Sequence, residues 1–78
     1  MMKTQKPVHT VRSDSIRASI WEHHTDQDTH YTVVFSRSYQ QNGEWKNSHV
    51  FREQDLMTLP LVSFMAKSWI HSRKKEEN

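Results

Sequence analysis

The fold is decided by one stretch, residues 31–51, which reads YTVVFSRSYQQNGEWKNSHVF. Its first nine residues alternate between two faces, with Tyr31, Val33 and Phe35 on one of them. This period-two pattern of β-branched and aromatic side chains is typical of a half-buried strand. The pair Asn42-Gly43 follows, and Asn-Gly is the strongest short-range signal for a β-hairpin. The stretch therefore predicts a hairpin at the centre of the domain.

Two registers are open to this hairpin. A two-residue turn at Asn42-Gly43 would place Trp45 on the face opposite Phe35. A three-residue loop of residues 41–43, with the glycine in the left-handed position of a bulge, pairs Tyr39 with Trp45 and collects the large side chains on one face. Because a slip of one residue exchanges the two faces, the choice matters for any site. We predict the three-residue loop.

An earlier strand precedes the hairpin. Ile16, Ala18 and Ile20 alternate with polar residues and predict a strand with one apolar face. The polar residues 22–29 predict a surface loop between this strand and the hairpin. Residues 1–10 contain Pro7 and show no periodicity, so they predict a flexible N-terminal arm in which residues 9–12 can add a strand.

After Phe51 the apolar period becomes helical. The positions that follow this spacing are Leu56, Leu59, Val62, Ala66, Trp69 and Ile70. Pro60 fits only the first turn of a straight helix. The pattern therefore predicts either a short turn over residues 53–58 followed by a helix over residues 59–72, or one helix bent at Pro60.

The apolar arc of this helix is wider than one sheet face can cover. Leu61, Phe64 and Met65 form a surplus strip, which predicts a homodimer that pairs through the helix. A domain of 78 residues buries only about 60% of its unfolded surface, so a partner subunit would help its stability.

Together these elements predict an α+β domain, with an antiparallel three- to four-stranded sheet followed by one C-terminal helix. The domain spans residues 11–72, between the N-terminal arm and a charged tail of residues 73–78.

Composition excludes several classes of function. The chain has no cysteine and only one glycine, which excludes thiol chemistry and a glycine-rich phosphate loop. Its serines lack the context of a nucleophile elbow, so we expect no catalytic residues, no cofactor and no small-molecule substrate. The sequence also lacks a signal peptide and a long apolar run, which predicts a soluble, cytoplasmic protein without a membrane partner.

A histidine-rich segment raises the question of a metal site. His23, His24, Asp26, Asp28 and His30 are ligand types that zinc accepts. Their spacing matches no defined site, and an exposed polar loop offers little preorganisation. We therefore predict no metal.

Several motifs carry a resemblance. They are IRASIWE at residues 16–22, YTVVFSRSY at 31–39, EWK at 44–46 and FREQDL at 51–56, followed by Ala66, Trp69 and Ile70. This pattern resembles a family of small bacterial proteins and brings no established activity with it. More remotely, the order of elements is similar to the positive-cofactor-four-like transcriptional coactivator fold. That resemblance implies a helix-mediated dimer with a surface for single-stranded DNA.

Basic and aromatic residues form the candidate site. The predicted register places Arg17, Trp21 and Lys46 on the sheet face that points away from the core. It places Arg37, Tyr39 and Trp45 together near the hairpin tip. Cations that follow phosphates and rings that stack on bases are what single-strand binding needs. We predict a regulatory protein that binds single-stranded DNA or RNA. The alternative is a protein-interaction module that docks through its helix face or a sheet edge.

Overall fold

Four consecutive strands, joined by short turns, form one antiparallel sheet in which each strand lies beside its neighbours in the chain. The computed structural model describes residues 6–76, except for the side chain of residue 76. The elements are β1 His9–Ser13, β2 Ile16–His24, β3 Thr29–Gln41, β4 Glu44–Ser48, a 3₁₀ turn Glu53–Met57 and helix α1 Leu59–Glu76. The predicted α+β fold, a sheet followed by one C-terminal helix, is confirmed, and the sheet has four strands.

The core lies between α1 and the first two strands. Ile16, Ala18 and Ile20 point from β2 toward α1, as their alternation predicted, and they meet Val62 and Ala66 of the helix. Burying a large aliphatic side chain contributes about 1.5–3 kcal/mol, so these few residues supply much of the stability. The sheet face toward α1 is called the inner face below.

Helix α1 begins at Leu59, with Pro60 in its first turn. The first helical hydrogen bond runs from the Val62 N–H to the Thr58 carbonyl, and a proline at the second helical position interrupts no such bond. The first of the two predicted arrangements, a short turn followed by a helix from Leu59, is therefore correct. The helix is bent by 38°.

The predicted register of the β3–β4 hairpin is wrong. The turn has two residues, Asn42 and Gly43, and Gln40 pairs with Trp45. Both turn residues have positive φ, 53° and 82°, as in a type I′ turn, whose twist matches that of the flanking strands. Since α1 packs over β1 and β2, a Trp45 on the inner face would have had no helix above it.

Three predicted boundaries also differ from the structure. β1 spans His9–Ser13, so the strand predicted as possible over residues 9–12 is present and residues 9–10 of the arm belong to the sheet, while residues 1–5 of the arm lie outside the described residues. β2 and β3 extend into the predicted loop and leave only residues 25–28, where the Thr25 hydroxyl accepts hydrogen bonds from backbone N–H groups. α1 continues through Glu76, so most of the predicted tail is helical, and residues 77–78 lie outside the described residues.

Candidate nucleic-acid interface

The sheet face that points away from α1 is called the outer face. The strand pairing assigns to it Thr10, Arg12, Arg17, Ser19, Trp21, His23, His30, Thr32, Val34, Ser36, Ser38, Gln40, Trp45 and Asn47. None of these strand positions holds an Asp or Glu. The strand carboxylates Glu22 and Glu44 both lie on the inner face. The outer face is therefore cationic and aromatic, with small polar residues between.

Two arginines face each other on the outer face. Arg12 of β1 is the direct cross-strand partner of Arg17 of β2. Among the described residues, neither guanidinium has a carboxylate within ion-pair distance or any hydrogen-bond partner. The other three arginines all pair with carboxylates, Arg37 and Arg52 with Asp55 and Arg73 with Glu22. Both arginines of the outer face thus have donors available for an external anion.

A shallow hollow of about 380 Å³ lies beside this pair. It is lined by Arg12, Arg17, Ser38, Trp45 and Asn47, so each of the four strands contributes. Trp45 is 71% exposed, and among the described residues its indole contacts no other ring. The Ser38 hydroxyl donates to the Asn47 side-chain oxygen at 3.4 Å. Among the described residues the Asn47 amide nitrogen has no acceptor, so its hydrogens are available to a ligand in the hollow.

Trp21 and two histidines occupy the other end of the outer face. Trp21 is half-buried opposite Thr32. The rings of His23 and His30 stack with centroids 5.0 Å apart, and His23 Nε2 lies 2.9 Å from the Thr32 hydroxyl. This end of the outer face therefore carries ring-bearing side chains from β2 and β3.

The six predicted binding residues divide between the two faces. Arg17 and Trp21 lie on the outer face, as predicted. Trp45 and Lys46 have exchanged places relative to the prediction, since the two-residue turn puts Trp45 on the outer face and Lys46 on the inner one. Lys46 lies 3.8 Å from Glu44.

Arg37 and Tyr39 lie on the inner face near the start of α1. The Arg37 guanidinium donates to the Val50 carbonyl at 3.0 Å, lies 3.5 Å from Asp55 and stacks over Tyr39 at 5.4 Å. The side chain of Arg37 is mostly buried, with 14% of its surface exposed. These contacts tie β3 to the segment that leads into the helix.

Asp55 is the centre of that connection. Arg52 donates to its carboxylate from two guanidinium nitrogens at 2.9 and 3.1 Å and from its backbone N–H at 2.7 Å. The guanidinium hydrogen bonds, followed by the backbone one, hold the pKa of the Asp55 carboxyl below its usual value. A buried carboxylate thus stays charged and orders the 3₁₀ turn before α1.

A second polar cluster lies on the inner face and was missed from the sequence. Glu22 accepts a hydrogen bond from the Tyr31 hydroxyl at 2.8 Å, and its carboxylate also lies near His24 and Arg73, at 3.0 and 3.5 Å. The Tyr31 hydrogen bond is the largest cause that lowers the pKa of Glu22. The Arg73 guanidinium in turn lies over the ring of Trp69, so this cluster fastens the C-terminal half of α1 to β2 and β3.

Two residues of the hollow were also missed from the sequence. Arg12 joins the site only because β1 pairs with β2, and Asn47 joins it only in the two-residue register. The sequence does contain a signal for the pairing of β1 with β2, because Asp14, at φ 55°, is a residue type that tolerates the left-handed conformation of a tight turn. That turn makes Arg12 and Arg17 cross-strand partners.

The strip Leu61, Phe64 and Met65 lies on the side of α1 away from the core. Leu61 is 51% exposed, Phe64 is 68% exposed and Met65 is half-buried. Met57, at the end of the 3₁₀ turn that precedes α1, is also exposed. An apolar surface on the helix is thus available to a partner.

Among residues 6–76, no group of three or more His, Asp or Glu side chains is placed to hold a metal ion. Within the same residues, no helix has the length and apolar character that a membrane span requires.

Comparison of the chain with protein-family models, curated proteins and solved structures gives no match. The two resemblances therefore stay predictions, and any inference about function depends on the outer face itself.

Proposed function

We propose that this protein binds single-stranded DNA or RNA on its outer face, without catalysis. One observation carries the proposal. Two arginines with no carboxylate partner among the described residues share an uncovered face with two tryptophans, and no strand position of that face is acidic. Cationic side chains neutralise phosphates, and aromatic rings stack on bases for about 1–3 kcal/mol each.

The exposure of Trp45 favours single strands over duplexes. An indole can stack only on a base that has left its own stack, and such bases occur in single strands, loops and ends. Ser36 is itself buried, whereas the partly exposed Ser19 and Ser38 separate larger side chains on β2 and β3. These small residues let a strand approach the sheet closely.

The test uses two variants that remove one positive charge each from opposite faces. Arg17→Gln changes the outer face, and Lys46→Gln is the matched control on the inner face. Titration of the wild-type protein with a single-stranded oligonucleotide at low salt should quench tryptophan fluorescence. The logarithm of the binding constant falls linearly with the logarithm of the salt concentration, and loss of one phosphate contact makes that slope shallower by about 0.7. We expect this change for Arg17→Gln alone.

A third variant tests the stacking surface. Trp45→Ala should lower affinity by about 1–3 kcal/mol and remove much of the quenching. Absence of quenching and of any mobility shift at low salt in the wild-type protein would contradict the proposal. If Arg17→Gln and Lys46→Gln weakened oligonucleotide binding equally, the binding site would not be the outer face.

We further propose that the exposed strip of α1 pairs with a second copy of the chain. The support is the exposure of Leu61 and Phe64, three residues apart on the side of α1 away from the core. Sedimentation should give a dimer mass for the wild-type protein and a monomer mass for Phe64→Glu, with Lys74→Glu, an exposed change almost three turns further along the same helix, as the control. A wild-type monomer would instead leave the strip for a different protein partner.

A further inference from the structure

We infer that the hollow on the outer face is a subsite for one nucleotide, with its phosphate on Arg12 and Arg17 and its base on Trp45. The inference rests on the proposed function and specifies how that face would hold one unit of the strand. Residues from all four strands converge on the hollow. Its volume of about 380 Å³ lies within the range of pockets that hold small organic ligands.

The arginine pair supplies the phosphate contact. Side chains directly opposite each other on antiparallel strands have their Cβ atoms only about 5 Å apart, so two guanidiniums can contact the same anion. Each guanidinium carries five N–H donors in a planar fork that matches phosphate oxygens. No described carboxylate competes for these donors. A phosphate would also relieve the repulsion between the two cations.

Trp45 supplies the surface for the base. It lies on β4, with β3 between it and the arginine strands, and it lines the same hollow as both arginines. A nucleotide has the matching chemistry, since it joins an anionic phosphate to a flat base through a sugar. A simple anion would use the arginines and leave the indole exposed.

Asn47 adds a group that can contact the base edge. Its side-chain oxygen accepts from Ser38, so the amide hydrogens are the atoms that remain for a ligand. Amide donors pair with carbonyl oxygens or ring nitrogens of bases. We therefore assign to Asn47 a part in base preference.

The experiment follows backbone and indole N–H signals of the ¹⁵N-labelled full chain by NMR. The probes are thymidine 5′-monophosphate, deoxyribose 5-phosphate, thymidine, and a thymidine oligonucleotide of about twelve nucleotides. The monophosphate should shift the signals of Arg12, Arg17 and the Trp45 indole. The two fragments, which lack the base or the phosphate, should bind about tenfold more weakly or worse.

Variants assign the parts of the subsite. Arg17→Gln should lower affinity for the monophosphate about tenfold, because a charge-assisted hydrogen bond is lost. Asn47→Ala should bring the affinities for thymidine and adenosine monophosphates closer together. Unchanged signals from the inner face would show that both variants remain folded.

The outcomes separate this inference from the proposed function. If the oligonucleotide binds but the monophosphate leaves the hollow unperturbed, the subsite is wrong and the proposed function stands. If deoxyribose phosphate binds as tightly as the monophosphate, the hollow is only an anion site and the inference is overturned. If the oligonucleotide does not bind, both fail.

Discussion

Arg12 lies directly opposite Arg17 on neighbouring strands, and no described carboxylate neutralises either of them. Like charges in this cross-strand position destabilise a sheet. The folded protein therefore carries a local repulsion that a bound polyanion would remove. Its position on an uncovered face, beside an exposed tryptophan, is what distinguishes this pair from the other arginines.

The repulsion predicts a gain in stability when one cation is removed. At low salt, Arg12→Gln should raise the free energy of unfolding by about 0.2–1 kcal/mol, and added salt should shrink the difference. Urea unfolding of the wild-type protein and of Arg12→Gln at two salt concentrations measures this difference in the free energy of unfolding. Lys67→Gln, an exposed change on α1, is the control and should have a smaller effect. A loss of stability in Arg12→Gln at low salt would mean that the arginine makes a net favourable contact.

The β3–β4 turn predicts a backbone effect at Gly43. Gly43 has φ 82°, and a Cβ built there meets nothing within 4 Å. Gly43→Ala should therefore destabilise the protein by about 1 kcal/mol through left-handed backbone strain alone. Thermal unfolding measures the change, and Asn42→Gly, which suits the same turn, should be nearly neutral. An unchanged midpoint in Gly43→Ala would show that the turn does not need positive φ.

The Glu22 cluster predicts a loss of stability in acid. Tyr31, His24 and Arg73 favour the charged carboxylate and lower its pKa below the usual 4.5. A carboxyl whose pKa is lower in the folded state adds stability above its unfolded pKa and loses it as pH falls through the folded pKa. Urea unfolding across pH 3–7 should show this decline, to which Asp55 also contributes.

Two substitutions assign that decline to Glu22. Glu22→Gln should lower stability at neutral pH and flatten the acid limb of the profile. Glu44→Gln, whose side chain is 75% exposed on the same face, should leave the profile unchanged. A steep acid limb that persists in Glu22→Gln would assign the effect to other carboxyl groups.

The small core predicts sensitivity to one cavity. Ile20 is fully buried, and Ile20→Ala should cost about 2–5 kcal/mol. A chain of this length has a total stability of about 4–12 kcal/mol, so the variant should lose a large share of it and unfold at a clearly lower temperature. Val34→Ala, on the outer face at 43% exposure, is the matched control and should cost far less. Circular dichroism during heating distinguishes the two.

Part of the candidate site was predictable from local patterns, and part was not. The alternation around Ile16, Ala18 and Ile20 placed Arg17 and Trp21 on the outer face correctly. Grouping the large side chains on one face favours the three-residue loop, and that register assigns Trp45 to the wrong face. Because α1 lies over β1 and β2 and the hairpin tip extends beyond it, grouping large side chains on the inner face at the tip gains no burial against the helix.

The sequence by itself determined the local features: the period of the strands, the turn at Asn42-Gly43 and a helix that begins beside Pro60. Each depends on backbone preferences within a few residues. Only the tertiary structure decided which side chains share a face. Strand pairing brought Arg12 to Arg17, and helix packing brought Arg73 to Glu22 across about fifty residues of chain. Such contacts depend on register and on where the helix lies, and a one-residue shift in register reverses the faces.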